Sequence, residues 1–314
     1  MSNQQNKRNF YDQPLKIGTR GSPLALAQAH ETKERLMKLH GLGDDAFEIC
    51  VINTMGDKIQ DRALSEIGGK GLFTKEIEEG LLSGQIDIAV HSMKDMPTEL
   101  PKNLEISVFL EREDPRDSFI SDDYSTIEDL PSGSVVGTSS LRRKAQLLAF
   151  RSDLKVIEFR GNVQTRLRKL KEKVADATFL ACAGLNRLLM QDLIKPVPIK
   201  QMLPAVAQGV IGIENTIGNK NIFDLIEPLN HKKTAIQMTV ERSFLAVLDG
   251  SCRTPIGGHA IIKEEEIFFH GEILKPDGSI VHKDVWSGPI SDSKMIGETA
   301  GQILKEKGGK NFFG

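Results

Sequence analysis

The sequence predicts an α/β protein with two or three domains. From Leu15 onward, short apolar segments bounded by Gly or Pro alternate with segments of helical periodicity, an order typical of parallel sheets. At 314 residues the chain is also longer than one hydrophobic core usually organises. From His259 onward, three strand-like segments stand between two helical ones, and this order predicts a small α+β domain at the end.

The first domain is organised around the stretch 87–97. Its first half is a short apolar run, typical of a strand buried on both faces, and its polarity reverses at Ser92, Lys94 and Asp95. Ligands bind at the carboxyl edge of the strands in open α/β sheets. An adjacent Lys and Asp can hold one anion and one cation close together there, whereas an isolated pair elsewhere would be a solvated turn.

Two parts of the chain share the order of strand, Gly-Thr, polar turn and helix. The Gly-Thr pair occurs at 18–19 and again at 137–138, so the same supersecondary unit is predicted twice. Ser22, Ser140 and Asn162 are each of a residue type that favours a helix N-cap. The residues that follow each of them are therefore predicted to form the first turn of a helix.

Seven cations fall at predicted strand-to-helix turns or in the first helical turn after them. Cations there oppose the helix dipole, where Asp or Glu is the usual choice. One such Arg would ordinarily be a surface side chain. Because these turns line one edge of each sheet, seven of them predict a cleft between two α/β domains that binds several carboxylates or phosphates. The seven cations are Arg20, Lys94, Arg142, Arg143, Arg160, Arg166 and Arg187.

The composition argues against several classes of partner. The formal net charge is −2, so no global field attracts nucleic acid or an anionic membrane, and no segment is apolar enough to be a membrane span. The polar residues 1–13 are expected to form a disordered arm rather than a signal peptide. The Gly-rich loop 56–71 is predicted to be a mobile lid, and its Gly-Gly-Lys-Gly run lacks the spacing of a phosphate loop.

The three cysteines stand in different settings. Cys50 and Cys182 lie in predicted apolar strands, where a thiol behaves as a small hydrophobe. Cys252 lies in a loop beside a cation, which favours a reactive thiol. No Cys-x-x-Cys and no suitable His spacing predicts a metal site. Reduced thiols and a cytoplasmic location are expected.

Seven groups of residues between Leu15 and Gly258 form a recognisable set of spaced motifs. They are 18–25 (GTRGSPLA), 69–73 (GKGLF), 91–97 (HSMKDMP), 137–143 (GTSSLRR), 160–163 (RGNV), 203–206 (LPAV) with 208–209 (QG), and Cys252 with 255–257 (PIG). In content and order, these motifs resemble the porphobilinogen deaminase family, whose members are also called hydroxymethylbilane synthases.

The resemblance implies two α/β domains like those of periplasmic binding proteins of type II, and a small α+β C-terminal domain that presents Cys252. The expected segments are a disordered arm at 1–14, a first domain at 15–115 and 205–229, a second domain at 116–204 and a third domain at 230–314.

The resemblance also implies an activity. Members of this family deaminate four porphobilinogen molecules and join them head to tail into the linear tetrapyrrole hydroxymethylbilane, in haem biosynthesis. They build it on a dipyrromethane cofactor that is joined by a thioether to the cysteine matching Cys252. Every pyrrole ring carries an acetate and a propionate, so the growing chain is a series of carboxylates. Such a ligand would suit the seven cations.

By the same resemblance, Asp95 is the catalytic carboxylate. It would stabilise the electron-poor azafulvene that forms when ammonia departs, and it could carry protons between steps. The residues expected to bind the cofactor are Cys252, Lys94, Asp95, Ser139, Arg142, Arg143, Arg160 and Arg166. The residues expected to bind substrate are Arg20, Ser22, Arg160, Arg166 and Arg187, with Ser92 and Gly209 lining the site.

Two other functions stay open on the residues alone. A non-catalytic module that closes on an anionic ligand explains the cleft and the arginines equally well, but it does not explain a loop cysteine at position 252. A thiol peroxidase or acyl-transfer nucleophile at Cys252 would need a base, for which His259 is the candidate. In each case a monomer that binds neither nucleic acid nor membrane is expected.

Overall fold

The structure is a computed structural model that describes residues 13–58, 74–250 and 254–313. Most of the predicted arm, most of the predicted lid and Cys252 lie outside these residues. The described residues divide into two compact units. The first unit contains 13–58, 74–111 and 210–235, and the second contains 112–209, 236–250 and 254–313.

The described residues form three β-sheets together with α-helices and short 3₁₀ turns. The strands are β1 (Leu15–Thr19), β2 (Phe47–Val51), β3 (Ile88–Ser92), β4 (Leu104–Phe109), β5 (Asp117–Ile120), β6 (Val135–Gly137), β7 (Lys155–Ile157), β8 (Ala177–Ala181), β9 (Ile211–Thr216), β10 (Ile256–Lys263), β11 (Glu266–Leu274) and β12 (Val281–Pro289). The helices are α1 (Pro23–His40), α2 (Met55–Lys58), α3 (Lys75–Leu82), α4 (Leu141–Phe150), α5 (Val163–Lys171), α6 (Cys182–Arg187), α7 (Lys220–Ile226), α8 (Lys232–Val247) and α9 (Ser293–Gly308).

The first unit is built on a five-stranded sheet in the order β2-β1-β3-β9-β4. The first three strands pair in parallel, as the alternation of strand and helix predicts, and β9 is antiparallel to both of its neighbours. Leu15, Ile17, Ile88 and Ile213 are fully buried in its core. The carboxyl ends of β1 and β3 therefore lie side by side at one edge of the sheet.

The second unit contains a four-stranded sheet in the order β5-β8-β6-β7. Here β6 pairs in parallel with β7 and β8, while β5 is antiparallel to β8. The two sheets share this arrangement. In the first, β1 lies between β2 and β3, and the antiparallel β9 flanks β3; in the second, β6 lies between β7 and β8, and the antiparallel β5 flanks β8. The supersecondary arrangement that the repeated Gly-Thr pair predicts is thus present once in each sheet. The predicted α/β fold class is confirmed.

The three predicted N-caps begin helices α1, α4 and α5. The Ser22 hydroxyl accepts from the backbone N–H three residues later at 3.3 Å, and the Ser140 hydroxyl accepts from that of Arg143 at 3.4 Å. The Asn162 side chain accepts from the N–H of Thr165 at 2.9 Å. Each cap satisfies a donor that the first helical turn leaves unpaired. The cations after Ser140 therefore lie in a first turn, where the sequence predicts them.

The C-terminal part of the second unit is an antiparallel sheet of β10, β11 and β12 with α9 packed on it. The hairpin turn between β11 and β12 has Gly278 at a φ of +75°, a left-handed conformation that favours glycine. Phe244 of α8 packs edge-on against Phe269 of β11, with ring centroids 4.9 Å apart. This arrangement matches the α+β character predicted for the end of the chain.

The structure corrects two local predictions. Cys182 begins helix α6 instead of lying in a strand, because β8 ends one residue earlier; it is fully buried, and this burial raises the pKa of its thiol to about 12. The run of charges at 111–117 is typical of a linker between domains, but Asp117 at its end is the buried first residue of β5. No α-helix in the described ranges is long and apolar enough to cross a membrane.

Candidate active site

Asp95 is presented by a 3₁₀ turn directly after β3. The neighbouring Met93 and Met96 are buried, while Lys94 is half-buried and Asp95 is exposed. The apolar side chains hold the turn on the sheet because they are removed from water. The carboxylate of Asp95 is therefore accessible on an anchored segment of chain.

A pocket in the first unit brings Asp95 together with two residues predicted to bind substrate, Arg20 and Ser22. Gln28 of α1 and Ser92 line the same pocket, and their side chains share two hydrogen bonds, at 2.8 and 3.0 Å. These bonds tie the helix after β1 to the end of β3. A guanidinium, a carboxylate and hydroxyl groups thus line one space, which suits a ligand that carries both acidic and basic groups.

In the second unit, Arg142 and Arg143 of α4 converge on the buried carboxylate of Asp117. Arg142 Nη2 donates to Oδ2 at 2.8 Å, and Arg143 Nη2 donates to Oδ1 at 2.7 Å. Burial alone would raise the pKa of Asp117, but the two guanidinium groups and the Gln208 amide outweigh it and hold that pKa well below its ordinary value. With Asp117 ionised, the two arginines and the one carboxylate keep one positive charge in excess.

The arginines of this cluster keep donors for a ligand. Arg142 Nε is buried and has no hydrogen-bond partner within the part of the chain that the structure describes. Arg143 uses Nε and Nη2 on Asp117 and Nη1 on the carbonyl of Phe179, which leaves two of the five N–H groups of an arginine. Because a buried donor without a partner is costly, an anion at Arg142 would be stabilising.

Three further predicted residues lie around the turn between β7 and α5. Arg160 Nη1 is buried and has no partner among the residues described. Arg166 Nε donates at 2.9 Å to the carbonyl of Gly161, whose φ of +120° favours glycine. The Ser139 hydroxyl accepts from the backbone N–H of Phe159 at 3.2 Å. This turn therefore carries one cation with an unused donor.

Arg187 and Gly209 are brought together at the end of α6. Arg187 Nη2 donates to the Gly209 carbonyl at 3.1 Å. Gly209 has a φ of +92°, and a Cβ there would overlap the carbonyl oxygen of Glu113. Only glycine fits this close approach of two backbone segments, and the approach places an acceptor for Arg187.

Two residues of this geometry, Asp117 and Gln28, were not predicted from the sequence. Gln28 gave a signal that could have been used, because it is a polar residue one helical turn after the apolar Leu24 and therefore on the same face of the helix that follows Ser22, where it is buried. Asp117 gave none, because it ends a run of charges that is typical of a linker. Its partners Arg142 and Arg143 lie 25 and 26 residues away in the chain.

Comparison with known proteins decides the family. Residues 15–224 match the family model "Porphobilinogen deaminase, dipyromethane cofactor binding domain", and residues 235–306 match "Porphobilinogen deaminase, C-terminal domain". The chain belongs to the porphobilinogen deaminase family. A curated porphobilinogen deaminase from Paracoccus denitrificans (strain Pd 1222) is 54% identical over 301 residues, which cover 96% of each chain. The predicted resemblance, the transferase activity and the dipyrromethane cofactor are thereby confirmed.

Solved structures of periplasmic proteins also match this chain. The methionine-binding protein MetQ is 13% identical with a TM-score of 0.40, and the match covers 70% of this chain and 91% of that one. The periplasmic sulfonate-binding protein SsuA from Methylobacillus flagellatus KT, described as putative, is 14% identical with a TM-score of 0.36, over 76% of this chain and 73% of that one. At these scores the likeness supports no conclusion.

The described residues fit the dipyrromethane cofactor of the family. Two pyrrole rings carry two acetates and two propionates, which need cationic or N–H donors. Arg142 Nε and Arg160 Nη1 are buried donors in need of acceptors, and carboxylates would satisfy them. No group of three or more His, Cys, Asp or Glu in the described ranges could hold a metal ion. Because position 252 is not described, the attachment to Cys252 stays a prediction.

Proposed function

We propose that this chain deaminates porphobilinogen and joins four molecules into hydroxymethylbilane through the carboxylate of Asp95, on a primer attached to Cys252 by a thioether. The observation that carries the proposal is the pocket of the first unit, where Asp95 lies with Arg20 and Ser22. Porphobilinogen carries two carboxylates and an aminomethyl group. The guanidinium of Arg20 suits the carboxylates. The carboxylate of Asp95 suits the positive charge that develops as the amino group departs.

Each residue of the pocket has a physical role. When ammonia leaves, positive charge spreads over the pyrrole ring, and a carboxylate near the ring N–H stabilises it. Asp95 is exposed on an anchored turn, so its carboxylate is accessible to a ligand in the pocket. Arg20 binds an acetate or propionate arm, and Ser22 and Ser92 orient it by hydrogen bonds. The cofactor, when bound, supplies the pyrrole ring to which the first porphobilinogen molecule is joined.

The remaining cations are proposed to bind the other carboxylates. Their support is the pair of unsatisfied buried donors at Arg142 and Arg160 and the placement of the others at the turns that the sequence predicts. Loss of one cation held against a carboxylate costs about 2 to 5 kcal/mol of binding. The residues proposed for the cofactor are Cys252, Lys94, Asp95, Ser139, Arg142, Arg143, Arg160 and Arg166. Those proposed for substrate are Arg20, Ser22, Arg160, Arg166 and Arg187, with Gly209 beside them.

The test is the substitution Asp95→Asn, which keeps the size of the side chain and removes its charge. We expect the fold and the covalent adduct to persist, and kcat for porphobilinogen consumption to fall roughly 10²- to 10³-fold. Asp45→Asn, on an exposed turn of the same unit, is the matched control and should leave kcat unchanged. Normal turnover in Asp95→Asn would remove Asp95 from the mechanism.

Intact mass measurement tests the thioether and separates the enzyme from a binding module. A mass increase of two linked pyrroles, mapped to Cys252 by peptide analysis and lost in Cys252→Ala, supports the proposal. An unmodified thiol in freshly purified protein favours a module that only binds anions.

We also propose that the protein is a cytoplasmic monomer that does not bind nucleic acid. Support comes from the net charge of −2 and from the three cysteines, of which Cys182 is buried as a small apolar group. Light scattering coupled to size-exclusion chromatography measures the mass in solution, and a mass of twice 34.7 kDa would contradict the monomer.

A further inference from the structure

A buried polar cluster lies beside the pocket of Asp95 in the first unit. His91 of β3 lines that pocket, and its Nε2 is 3.0 Å from Oε2 of Glu214 on β9. The register explains the contact, because Ala89 pairs with Glu214 and His91 pairs with Gly212. His91 and Glu214 are therefore diagonal neighbours on one face of the sheet. The cluster joins the pocket to the interior of the unit.

Burying the polar groups of this cluster is unfavourable for folding. Glu214 is 0% exposed and His91 is 6% exposed, and Glu78 of α3 is buried close by. Burial raises the pKa of the Glu78 carboxyl, with a further contribution from Glu214. One carboxyl oxygen of Glu78 and one of Glu214 have no hydrogen-bond partner in the described ranges. Replacing buried ion pairs with well-packed apolar residues is often neutral or stabilising in proteins, so stability is a weak reason for these three residues.

The contact with Glu214 determines which nitrogen of His91 can accept a proton. When Nε2 donates to Oε2 of Glu214, Nδ1 carries the lone pair. Nδ1 has no hydrogen-bond partner among the residues that the structure describes. An imidazole held by a buried carboxylate on one side and open to a ligand pocket on the other is the arrangement of a general base.

We propose that His91, oriented by Glu214, is the base that accepts the proton released each time a pyrrole unit is joined. The inference rests on the proposed function. A carbon–carbon bond forms between the methylene carbon of a deaminated porphobilinogen and the free α-carbon of a porphobilinogen-derived ring. The C–H bond at that α-carbon then breaks, its electron pair returns to the ring, and the proton moves to Nδ1 of His91.

The proton balance closes within one cycle. The imidazolium formed at His91 is stabilised by the negative charge of Glu214, and it gives its proton to the ammonia released in the same cycle, which leaves as ammonium. Asp95 keeps its separate role at the pyrrole N–H. In this division of labour Asp95 stabilises charge, His91 is a catalytic residue, and Glu214 is a positioning residue.

The test compares His91→Gln and Glu214→Gln with His30→Gln, an exposed histidine of α1 in the same unit. Full-length protein is used, and its covalent adduct is first verified by intact mass. We expect kcat of His91→Gln to fall roughly 10²-fold with little change in KM, Glu214→Gln to show a smaller fall, and His30→Gln to match wild type.

The decisive readout is the isotope effect with porphobilinogen deuterated at its free α-carbon. If His91 takes that proton, C–H cleavage becomes slow in His91→Gln, and a primary isotope effect of several-fold appears that is smaller in wild type. A structural role alone would lower the urea midpoint and leave the isotope effect unchanged. Should His91→Gln fail to fold, Glu214→Gln carries the same isotope test.

The outcomes separate the two levels of inference. Normal kcat, or an unchanged isotope effect in a folded His91→Gln, overturns the role of His91 and leaves proton transfer to Asp95. Absence of hydroxymethylbilane from wild-type protein supplied with porphobilinogen overturns the proposed function itself.

Discussion

Glu272 shows how a single buried acid makes stability depend on pH. It lies on β11 and is buried, with one carboxyl oxygen unpartnered in the described part of the chain. Burial raises its pKa from 4.5 to about 7, although Lys283 and Arg142 act in the opposite direction. Between these two pH values the folded protein holds a proton that the unfolded chain releases. Stability is therefore lost as pH rises from about 4.5 through 7.

We predict that Glu272→Gln raises the free energy of unfolding at pH 8 by about 1 to 3 kcal/mol, because the amide removes a charge that burial disfavours. The gain should shrink toward zero at pH 4.5, where the wild-type carboxyl is neutral. Urea unfolding at both pH values measures it. Glu266→Gln, exposed on the same strand, is the control and should change little. An equal gain at both pH values would contradict the prediction.

At the scale of elements, the hairpin between β11 and β12 packs against α4, the helix that carries Arg142 and Arg143. An added Cβ at Gly278 would lie 2.5 Å from the backbone nitrogen of Ala149 and 2.6 Å from the carbonyl oxygen of Ala145. The atoms met are helix backbone, which cannot rotate away. The glycine is thus required both by its φ of +75° and by the approach of the two elements.

We predict that Gly278→Ala lowers the free energy of unfolding more than Gly133→Ala does. Gly133 has a φ of +80° with no atom within 4 Å of an added Cβ, so its substitution costs only the left-handed conformation, about 1 to 2 kcal/mol. Gly278→Ala adds a clash worth about 1 to 3 kcal/mol. Urea unfolding of the two variants measures both losses. Equal losses of unfolding free energy would show that α4 can move away from the added Cβ without destabilising the fold.

For the whole molecule, local chemistry was predictable from the sequence and long-range pairing was not. Ser140 and Asn162 could be predicted as caps because a cap depends on residues within one helical turn. The boundary of β8 was missed because Cys182 continues its apolar run. Asp117 was missed because its burial depends on α4, and His91 with Glu214 because 123 residues separate them. A pair at that distance follows from strand register, which one sequence does not specify.

The same reasoning predicts how the cofactor affects the stability of the whole chain. The buried donors at Arg142 Nε and Arg160 Nη1 lack partners within the described residues, and the carboxylates of dipyrromethane would satisfy them. A ligand that binds only the folded state stabilises it. Cys252→Ala, which cannot hold the adduct, should therefore unfold at a lower temperature than wild type.

The expected decrease in Tm is at least about 1.5 °C, because each kcal/mol moves Tm by about that amount in a chain of 314 residues. Differential scanning calorimetry measures it, with intact mass reporting the adduct in each sample. The matched control is Cys50→Ala, which removes a half-buried thiol from β2 and leaves Cys252 in place. It should keep the adduct, and its Tm should lie closer to that of wild type than the Tm of Cys252→Ala does. If Cys252→Ala melted with wild type despite lacking the adduct, the unsatisfied arginines would have to find their acceptors within the protein, and the cofactor would contribute nothing to the fold that binds it.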